Sequence, residues 1–209
     1  MVHIYYHIYA IEGVEEIIDE QLSLIEKHFD FPYILNVGIS IAENNISTTS
    51  ILEKIKPNLR DIRSKGNEWT TLDLIRNDAE KFGDSDYILY IHTKGVSRQG
   101  NSNYNKIESW RHIMNYFNIE KVKNVFKLFE KTQFNTYGAL FKEFYMGNFW
   151  WMRSDYAKTI NIENVDKSNR YMAEGGYLSN GIDWKPYSSY NIDSSNPYAF
   201  NFKREEYAK

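Results

Sequence analysis

The sequence lacks cysteine, long apolar runs and an excess of either charge, and each absence excludes a class of protein. Without cysteine the chain can form neither a disulfide framework nor a thiolate metal site, which is typical of a reducing compartment. No segment approaches the roughly 18 consecutive apolar residues of a membrane-spanning helix, and Met1 leads into a polar, aromatic segment rather than a signal peptide. We therefore expect a cytoplasmic protein without a membrane span.

The charges nearly balance, with 25 Lys and Arg against 28 Asp and Glu. This balance does not favour nucleic acid or an anionic membrane as a partner, so any anion-binding site must be local. Aromatic residues make up 16% of the chain and supply flat faces that suit sugar rings and bases. At 209 residues the chain is long enough to bury roughly 70% of its unfolded surface in one domain.

The chain is organised around the segment YILYIHTKGVSR at residues 87–98. Its first five residues are apolar or aromatic without strict alternation, which is typical of a strand covered on both faces of a parallel sheet. Polar, cationic and glycine residues follow directly, and ligands of open α/β sheets bind outside the carboxyl ends of the strands. The pattern predicts a central strand with a ligand site at its end, although an ordinary strand and a solvated turn at Gly95 fit equally well.

The remaining periodicity alternates strands with helices. Before the central strand it predicts strands over 3–11, 33–41 and 59–63, and helices over 14–29, 51–56 and 68–82. After it the pattern predicts helices over 106–117, 119–132, 154–160 and 170–178, strands over 137–141 and 144–152, and an aperiodic tail over 184–209. Polar, cationic loops follow the third and the central strands, so we expect these two loops to form one cleft. His3 and His7 of the first strand are interpreted as sheet-surface residues.

Three candidate groups flank the central strand. Asp84-Ser85-Asp86 has a spacing at which two carboxylates can hold a divalent cation, but it precedes the strand and is interpreted as loop or capping residues at the amino end of the sheet. At the carboxyl end, Lys94 can neutralise a diphosphate as a point charge. His92 can bind phosphate, a metal or a leaving oxygen, and a purely structural role is equally compatible.

Two later segments also carry candidate chemistry. In GNFWW at 147–151, adjacent tryptophans of a strand point to opposite faces, so one is expected in the core and the other at a surface or cleft, where Asn148 also qualifies; two core aromatics are the alternative. In RYMAEGG at 170–176, Glu174 has small and apolar neighbours, and partial burial would raise its pKa and suit acid–base work. An ion pair with Arg170 on the same helix face explains Glu174 equally well.

Several of these segments occur together as five motifs in one order. They are HTKGV at 92–96, WR at 110–111 followed by Met114 and Tyr116-Phe117, YG at 137–138, GNFWW at 147–151, and Arg170-Tyr171 with Ala173-Glu174. Together they resemble a family of glycosyltransferases from bacteria, algae and large DNA viruses that is related to rhamnan-synthesis proteins. The chain is also similar in length and layout to the amino-terminal glycosyltransferase domains of chlorovirus capsid-glycosylating proteins.

The resemblance implies an α/β fold of the GT-A-like, Rossmann-like type, with a mixed, mostly parallel central sheet flanked by helices. On this basis residues 1–183 are expected to form one glycosyltransferase domain, with a nucleotide-sugar-binding half over about 1–100 and an acceptor-side half over about 101–183. The tail over 184–209 is expected to pack on the core or to lead into a further domain.

The resemblance also implies the transfer of a sugar, a hexose or rhamnose, from a nucleotide diphosphate donor to a glycan or glycoprotein acceptor. We take the donor to be a UDP-sugar and the setting to be surface polysaccharide synthesis or viral capsid glycosylation, in the host cytoplasm if the chain is viral. The expected site residues are Tyr9, Ala10, Arg63, Lys65, Thr93 and Lys94 at the donor, Glu174, Asn148 and His92 in catalysis, and Trp150, Trp151 and Arg170 at the acceptor. A divalent cation, Mn²⁺ or Mg²⁺, stays open because no carboxylate pair follows the central strand.

Two other functions stay open beside this one. The chain can be a non-catalytic module that recognises a glycan or a nucleotide sugar. It can also be a nucleotidyltransferase on a related sheet, which is disfavoured because no glycine-rich phosphate loop with a following basic residue lies near the first strand.

Overall fold

The computed structural model describes residues 1–41, 48–64, 66–163, 165–168, 171–194 and 196–208. Within these ranges, seven strands form one sheet. They are β1 (Val2–Ala10), β2 (Tyr33–Ile41), β3 (Leu59–Ser64), β4 (Tyr87–His92), β5 (Thr136–Gly138), β6 (Trp150–Arg153) and β7 (Pro186–Ser188).

The sheet is mixed but mostly parallel, with the strand order β3-β2-β1-β4-β6-β5-β7. Only β6 among these strands runs against its neighbours, pairing antiparallel with both β4 and β5. The other pairs, β1 with β2 and β4, β2 with β3, and β5 with β7, are all parallel. Strand β4 lies at the centre of the seven, as its unbroken apolar run predicts. The predicted α/β architecture, a mixed, mostly parallel central sheet flanked by helices, is confirmed.

Helices cover both faces of this sheet. They are α1 (Val14–His28), α2 (Thr49–Ile55), α3 (Trp69–Asp78), α4 (Tyr104–Asn115), α5 (Val122–Lys131), α6 (Ser154–Ala157), α7 (Tyr171–Ser179) and α8 (Arg204–Tyr207). One apolar core lies under α1, α2, α4, α5 and α8, and a second lies under α3, α6 and α7. Strand β4 is therefore buried on both sides, which is why its sequence shows no polar alternation, whereas β1 alternates, with His3, Tyr5 and His7 on one face.

Helix α3 lies unusually close to the sheet, and this places its first turn next to the carboxyl ends of the strands. At Gly38 of β2, a Cβ atom would lie 2.3 Å from Thr71 Oγ1, so only glycine permits this approach. At Gly66, before α3, a Cβ atom would lie 2.6 Å from Ser40 Oγ. Ser40 in turn hydrogen-bonds to the Thr70 hydroxyl at 2.9 Å, which ties the start of α3 to β2.

The predicted strand over 144–152 is largely wrong, because only its end, Trp150–Arg153, is extended. The preceding residues form a turn in which Gly147 and Asn148 both have positive φ angles, 91° and 58°. A strand cannot contain two consecutive left-handed residues. The predicted helices over 106–117 and 119–132 are confirmed as α4 and α5, and a π-helical turn, Tyr116–Glu120, joins them.

The carboxyl-terminal segment packs on the same sheet and helices. Strand β7 pairs with β5, and Phe202 and Tyr207 are buried in the core under α4. The backbone N–H of Phe202 donates to Ser109 Oγ of α4 at 3.0 Å, and Arg204 forms an ion pair with Glu120. The domain limits set from the sequence stay a prediction. No helix in the described ranges has the length and apolar character needed to cross a membrane.

Candidate functional site

A cavity of about 360 Å³ opens at the carboxyl edge of the sheet, where β1 and β4 end and α3 begins. Strands β3 and β4 are not neighbours, because β2 and β1 lie between them. The residues before α3 nevertheless share the cavity with the loop after β4, so the cleft expected from the two polar loops is confirmed. Its described lining comprises His7, Tyr9, residues 66–68 and 92–98, Ile107, Ser168 and Tyr198.

Thr93 fixes the edge of the cavity between β1 and β4. Its backbone N–H donates to the His7 carbonyl at 3.1 Å, and its Oγ1 accepts a hydrogen bond from the Tyr9 N–H at 2.9 Å. Tyr9 and Thr93 therefore line the cavity side by side, where the sequence predicted donor contacts. Ala10, predicted beside them, is fully buried in the core and is not part of the lining.

Lys94 brings a cation to the cavity wall while most of its side chain is buried. Only 9% of the residue is exposed, and Nζ lies 4.2 Å from the centre of the Trp110 ring. A cation over an indole face is stabilised by about 0.5–2 kcal/mol, which helps to hold the ammonium group in a partly dry site. Gly95 follows with φ 90°, and a Cβ there would lie 2.7 Å from Ile107, so the turn that presents Lys94 requires glycine.

A buried polar network behind the cavity holds the backbone of residues 92–94. Arg111, on α4, donates from Nη1 to the Lys94 carbonyl at 3.2 Å and from Nη2 to Glu20 Oε2, on α1, at 2.8 Å. Gln21 donates to the carbonyl of His92 at 3.2 Å, and Asn115 donates to Glu20 at 2.7 Å. Helices α1 and α4 thus hold two backbone carbonyls in place, that of His92 at the end of β4 and that of Lys94 in the loop after it.

The carboxylate of Glu20 is stabilised in its ionised form within this network. Partial burial opposes ionisation, but the neighbouring His112 ring and the hydrogen-bonded Arg111 guanidinium outweigh it and lower the pKa of Glu20 to about 2. The ion pair with Arg111 therefore persists throughout the neutral and mildly acidic range. Arg111, which donates to the Lys94 carbonyl, is only 2% exposed and is held by its ion pair with Glu20.

Two histidines, His7 and His92, are paired residues of β1 and β4 and both line the cavity. The Nε2 of His92 lies 2.8 Å from the Gly147 carbonyl, and because a carbonyl only accepts, this nitrogen carries the proton and donates. The Nδ1 of His7 lies 3.0 Å from Thr71 Oγ1. The interpretation of His7 as a sheet-surface residue is wrong, because α3 covers it and leaves it 2% exposed.

The buried imidazole of His7 gives the protein a defined pH dependence. Burial lowers its pKa from 6.5 to about 3, with Glu68 acting against this shift and His92 adding to it. The unfolded chain therefore takes up a proton at His7 between pH 6.5 and 3 and the folded chain does not, so stability falls as the pH falls through this window.

We expect wild type to lose about 2 kcal/mol more unfolding free energy than His7→Gln between pH 7 and pH 5. Urea unfolding of both proteins at the two pH values measures this difference, and comparing the pH slopes removes any change in stability that the substitution itself causes. Equal slopes for the two proteins would contradict the burial of a neutral His7.

The turn at 147–148 positions the Gly147 carbonyl that accepts the hydrogen bond from His92. A Cβ at Gly147 would lie 2.4 Å from Met114 Sδ, so its positive φ and the close approach to α4 both require glycine. Asn148 is fully buried, and its Oδ1 accepts a hydrogen bond from Trp150 Nε1 at 2.7 Å. The described contacts of Asn148 shape this turn, and the catalytic role expected for Asn148 stays a prediction.

Trp150 and Trp151 both lie in the core, on opposite faces of the sheet. Trp150 stacks on Tyr90 with ring centres 5.0 Å apart, and Trp151 stacks on Phe29 at 6.0 Å. Their exposed fractions are 1% and 0%, because helices cover both faces at β6. The expectation that one of them lines a cleft is therefore wrong. Neither belongs to the described lining of the cavity, and an acceptor role for either stays a prediction.

The remaining predicted site residues are placed elsewhere or are not described. Arg63 pairs with Asp61 at 2.7 Å and Asp73 at 3.2 Å on the surface beside α3, and it is not among the described lining residues of the cavity. Lys65 and Arg170 lie outside the described residues. The same holds for the side chain of Glu174, whose backbone belongs to α7.

Asp84 and Asp86 lie at the opposite edge of the sheet, as their position before β4 predicts. Asp86 accepts hydrogen bonds from the amino group of Met1 at 2.8 Å and from the Gly83 N–H at 2.8 Å, and it pairs with His3. Asp86 therefore stabilises the backbone at the amino end of β4.

The described residues do not form a cage for a divalent cation. They include no cluster of three or more His, Asp or Glu side chains with suitable geometry. Glu68 is the one carboxylate in the described lining of the cavity. Hard cations such as Mg²⁺ prefer several oxygen ligands, so these residues do not fit a protein-held metal.

Sequence reasoning missed several residues that line the cavity. His7 lies inside β1, and its register with His92, the last residue of β4, would have identified it. Asn67 and Glu68 directly precede α3. Arg98 belonged to the central segment but was not assigned a role. Tyr198 comes from the tail, and no local pattern indicates that this segment returns to β4.

No protein-family model matches the chain, and neither does any curated protein. Among solved structures, the chain is similar to a cytidylyltransferase from Leptospira borgpetersenii, with 14% sequence identity and a TM-score of 0.43. The match covers 94% of this chain and 83% of that chain. A similarity of this extent carries no argument about activity.

Proposed function

We propose that the chain is a glycosyltransferase that binds a nucleoside diphosphate sugar, taken to be a UDP-sugar, in the cavity beside β4. The observation that carries the proposal is the position of Lys94, a largely buried cation that lines a polar cavity at the carboxyl edge of a mostly parallel sheet and whose backbone carbonyl is held by Arg111. This edge is where α/β sheets bind nucleotides. The acceptor is a hydroxyl group of a glycan, and the transferred sugar is a hexose or rhamnose.

In this proposal the diphosphate lies against the loop after β4. Lys94 and Arg98 are the side chains of the described lining that carry a full positive charge, and both lie in the segment 93–98 that follows β4. Tyr9, at the end of β1, offers an aromatic face next to Thr93 for the nucleoside. A cation in a partly dry site interacts more strongly with phosphate than one in open water does.

The proposed transfer breaks the bond between the anomeric carbon of the sugar and the diphosphate oxygen, and the diphosphate leaves with the electron pair. Lys94 stabilises the negative charge that builds on the leaving group, which is the contribution that most accelerates such a step. The acceptor oxygen bonds to the anomeric carbon and gives up its proton. The carboxylate of Glu174 is our proposed recipient of that proton.

Incubation of the protein with a panel of UDP-sugars, with and without oligosaccharide acceptors, tests this proposal. Release of UDP together with a glycosylated acceptor, and slow release with water alone, is the expected result. UDP binding without any release would indicate a non-catalytic module instead. Pyrophosphate release from a nucleoside triphosphate and a sugar phosphate would indicate a nucleotidyltransferase.

A further inference from the structure

One residue of the cavity wall comes from the far end of the chain. Tyr198 lies in a short 3-10 helix, Pro197–Ala199, and is 46% exposed, which is high for a tyrosine held in place by its neighbours. Its ring meets Trp110 edge to face, with ring centres 5.0 Å apart and an interplanar angle of 85°. The Nζ of Lys94 lies over the same indole. Tyr198, from the tail, and Lys94 therefore both contact the Trp110 ring.

The segment around Tyr198 is fixed at several points. Pro197 is buried, and the side chain of Asn196 accepts a hydrogen bond from the Tyr198 N–H at 3.2 Å. Farther along, the Phe202 N–H donates to Ser109 of α4, and Arg204 pairs with Glu120. These contacts fix the tail along α4, so that the position of Tyr198 at the rim of the cavity follows from the fold.

We propose that the Tyr198 ring contacts a ring of the bound donor, either the uracil and ribose or the transferred sugar. This inference rests on the proposed function. Lys94, Thr93 and Arg98 supply cationic and hydroxyl groups to the cavity, whereas an exposed aromatic face suits a base or the CH face of a sugar. Tyrosine has few rotatable bonds, so an anchored ring loses little conformational freedom when a ligand packs on it.

Calorimetric titration of UDP, UDP-glucose and pyrophosphate into wild type, Tyr198→Ala and Tyr198→Phe tests this contact. We expect Tyr198→Ala to raise the dissociation constant for UDP or UDP-glucose about 5- to 100-fold, and Tyr198→Phe to stay within about twofold. Pyrophosphate binding is expected to change by less than about twofold, since it has no ring. A loss with UDP assigns Tyr198 to the uracil and ribose, and a loss confined to UDP-glucose assigns it to the transferred sugar.

Tyr33→Ala is the matched control. Tyr33 is also exposed, at 37%, and also meets an aromatic ring edge to face, Phe29 at 5.7 Å, but it lies at the start of β2 on the other edge of the sheet. If Tyr198→Ala bound UDP and UDP-glucose as tightly as wild type does, the inference would be overturned and the proposed function would stand. The same conclusion would follow if Tyr198→Ala lost pyrophosphate affinity by the same factor as UDP or UDP-glucose affinity. Wild type that binds neither UDP nor UDP-glucose would overturn the proposed function together with it.

Discussion

Replacing Lys94 by methionine is expected to raise the dissociation constant for UDP about 10- to 100-fold, because a charge-assisted hydrogen bond to phosphate is lost. Sugar release is expected to slow further, by about 10²–10³ in kcat, since the cation stabilises charge that develops on the leaving diphosphate. Methionine keeps most of the apolar length of the side chain while removing the ammonium group, whose Nζ lies over Trp110. Calorimetry with UDP and single-turnover measurement of UDP release determine the two effects separately.

Lys123→Met is the control for this substitution. Lys123 pairs with Asp30 on the surface, and both side chains are 65% exposed. Removing it should change neither UDP affinity nor turnover, and stability should stay nearly unchanged because solvent screens the exposed pair. If Lys94→Met bound UDP as tightly as Lys123→Met does, the diphosphate would not lie at the end of β4.

Replacing Arg111 by methionine is expected to lower the free energy of unfolding by about 3 kcal/mol. The substitution leaves the Glu20 carboxylate partly buried without its arginine partner, with Asn115 Nδ2 at 2.7 Å and His112 Nε2 at 3.7 Å as its remaining neighbours. It also removes the donor to the Lys94 carbonyl, so UDP affinity should fall as the loop loses its support. Urea unfolding at pH 7 and calorimetry with UDP measure both effects.

The double variant Arg111→Met/Glu20→Gln should be more stable than Arg111→Met, because it removes both charges of the pair. Arg63→Met is the surface control. Arg63 pairs with Asp61 and Asp73 while 42% exposed, so its loss should change stability by less than about 1 kcal/mol. Unchanged UDP affinity in Arg63→Met would also refute the donor contact predicted for it from the sequence. Equal destabilisation by Arg63→Met and Arg111→Met would contradict the network behind the cavity.

The parallel part of the fold could be predicted because its local patterns agree with its tertiary contacts. Strands β1 and β2 and helix α1 follow the periodicity of their residues almost to the last position, and the apolar run of β4 identified the centre of the sheet. The segment over 144–149 could not be predicted. Its aromatic residues favour a strand, whereas the fold requires left-handed backbone at Gly147 and Asn148 to bring a carbonyl to His92.

Only the site residues that are adjacent in sequence to the central strand could be predicted. Thr93 and Lys94 come directly after the central strand, so strand order alone places them at the carboxyl edge. His7 was misjudged because alternation in β1 does not show that α3 covers that face. Tyr198 reaches the cavity through tertiary packing of the tail on α4, which no local pattern encodes.

A crystal structure of the protein with UDP tests the central claim most directly. We expect the diphosphate within hydrogen-bonding distance of Lys94 Nζ and the uridine between Tyr9 and the cavity rim, with the loop over 92–98 close to its present course. Binding of UDP at any other surface, or a crystal grown at millimolar UDP with no nucleotide at the end of β4, would contradict the account.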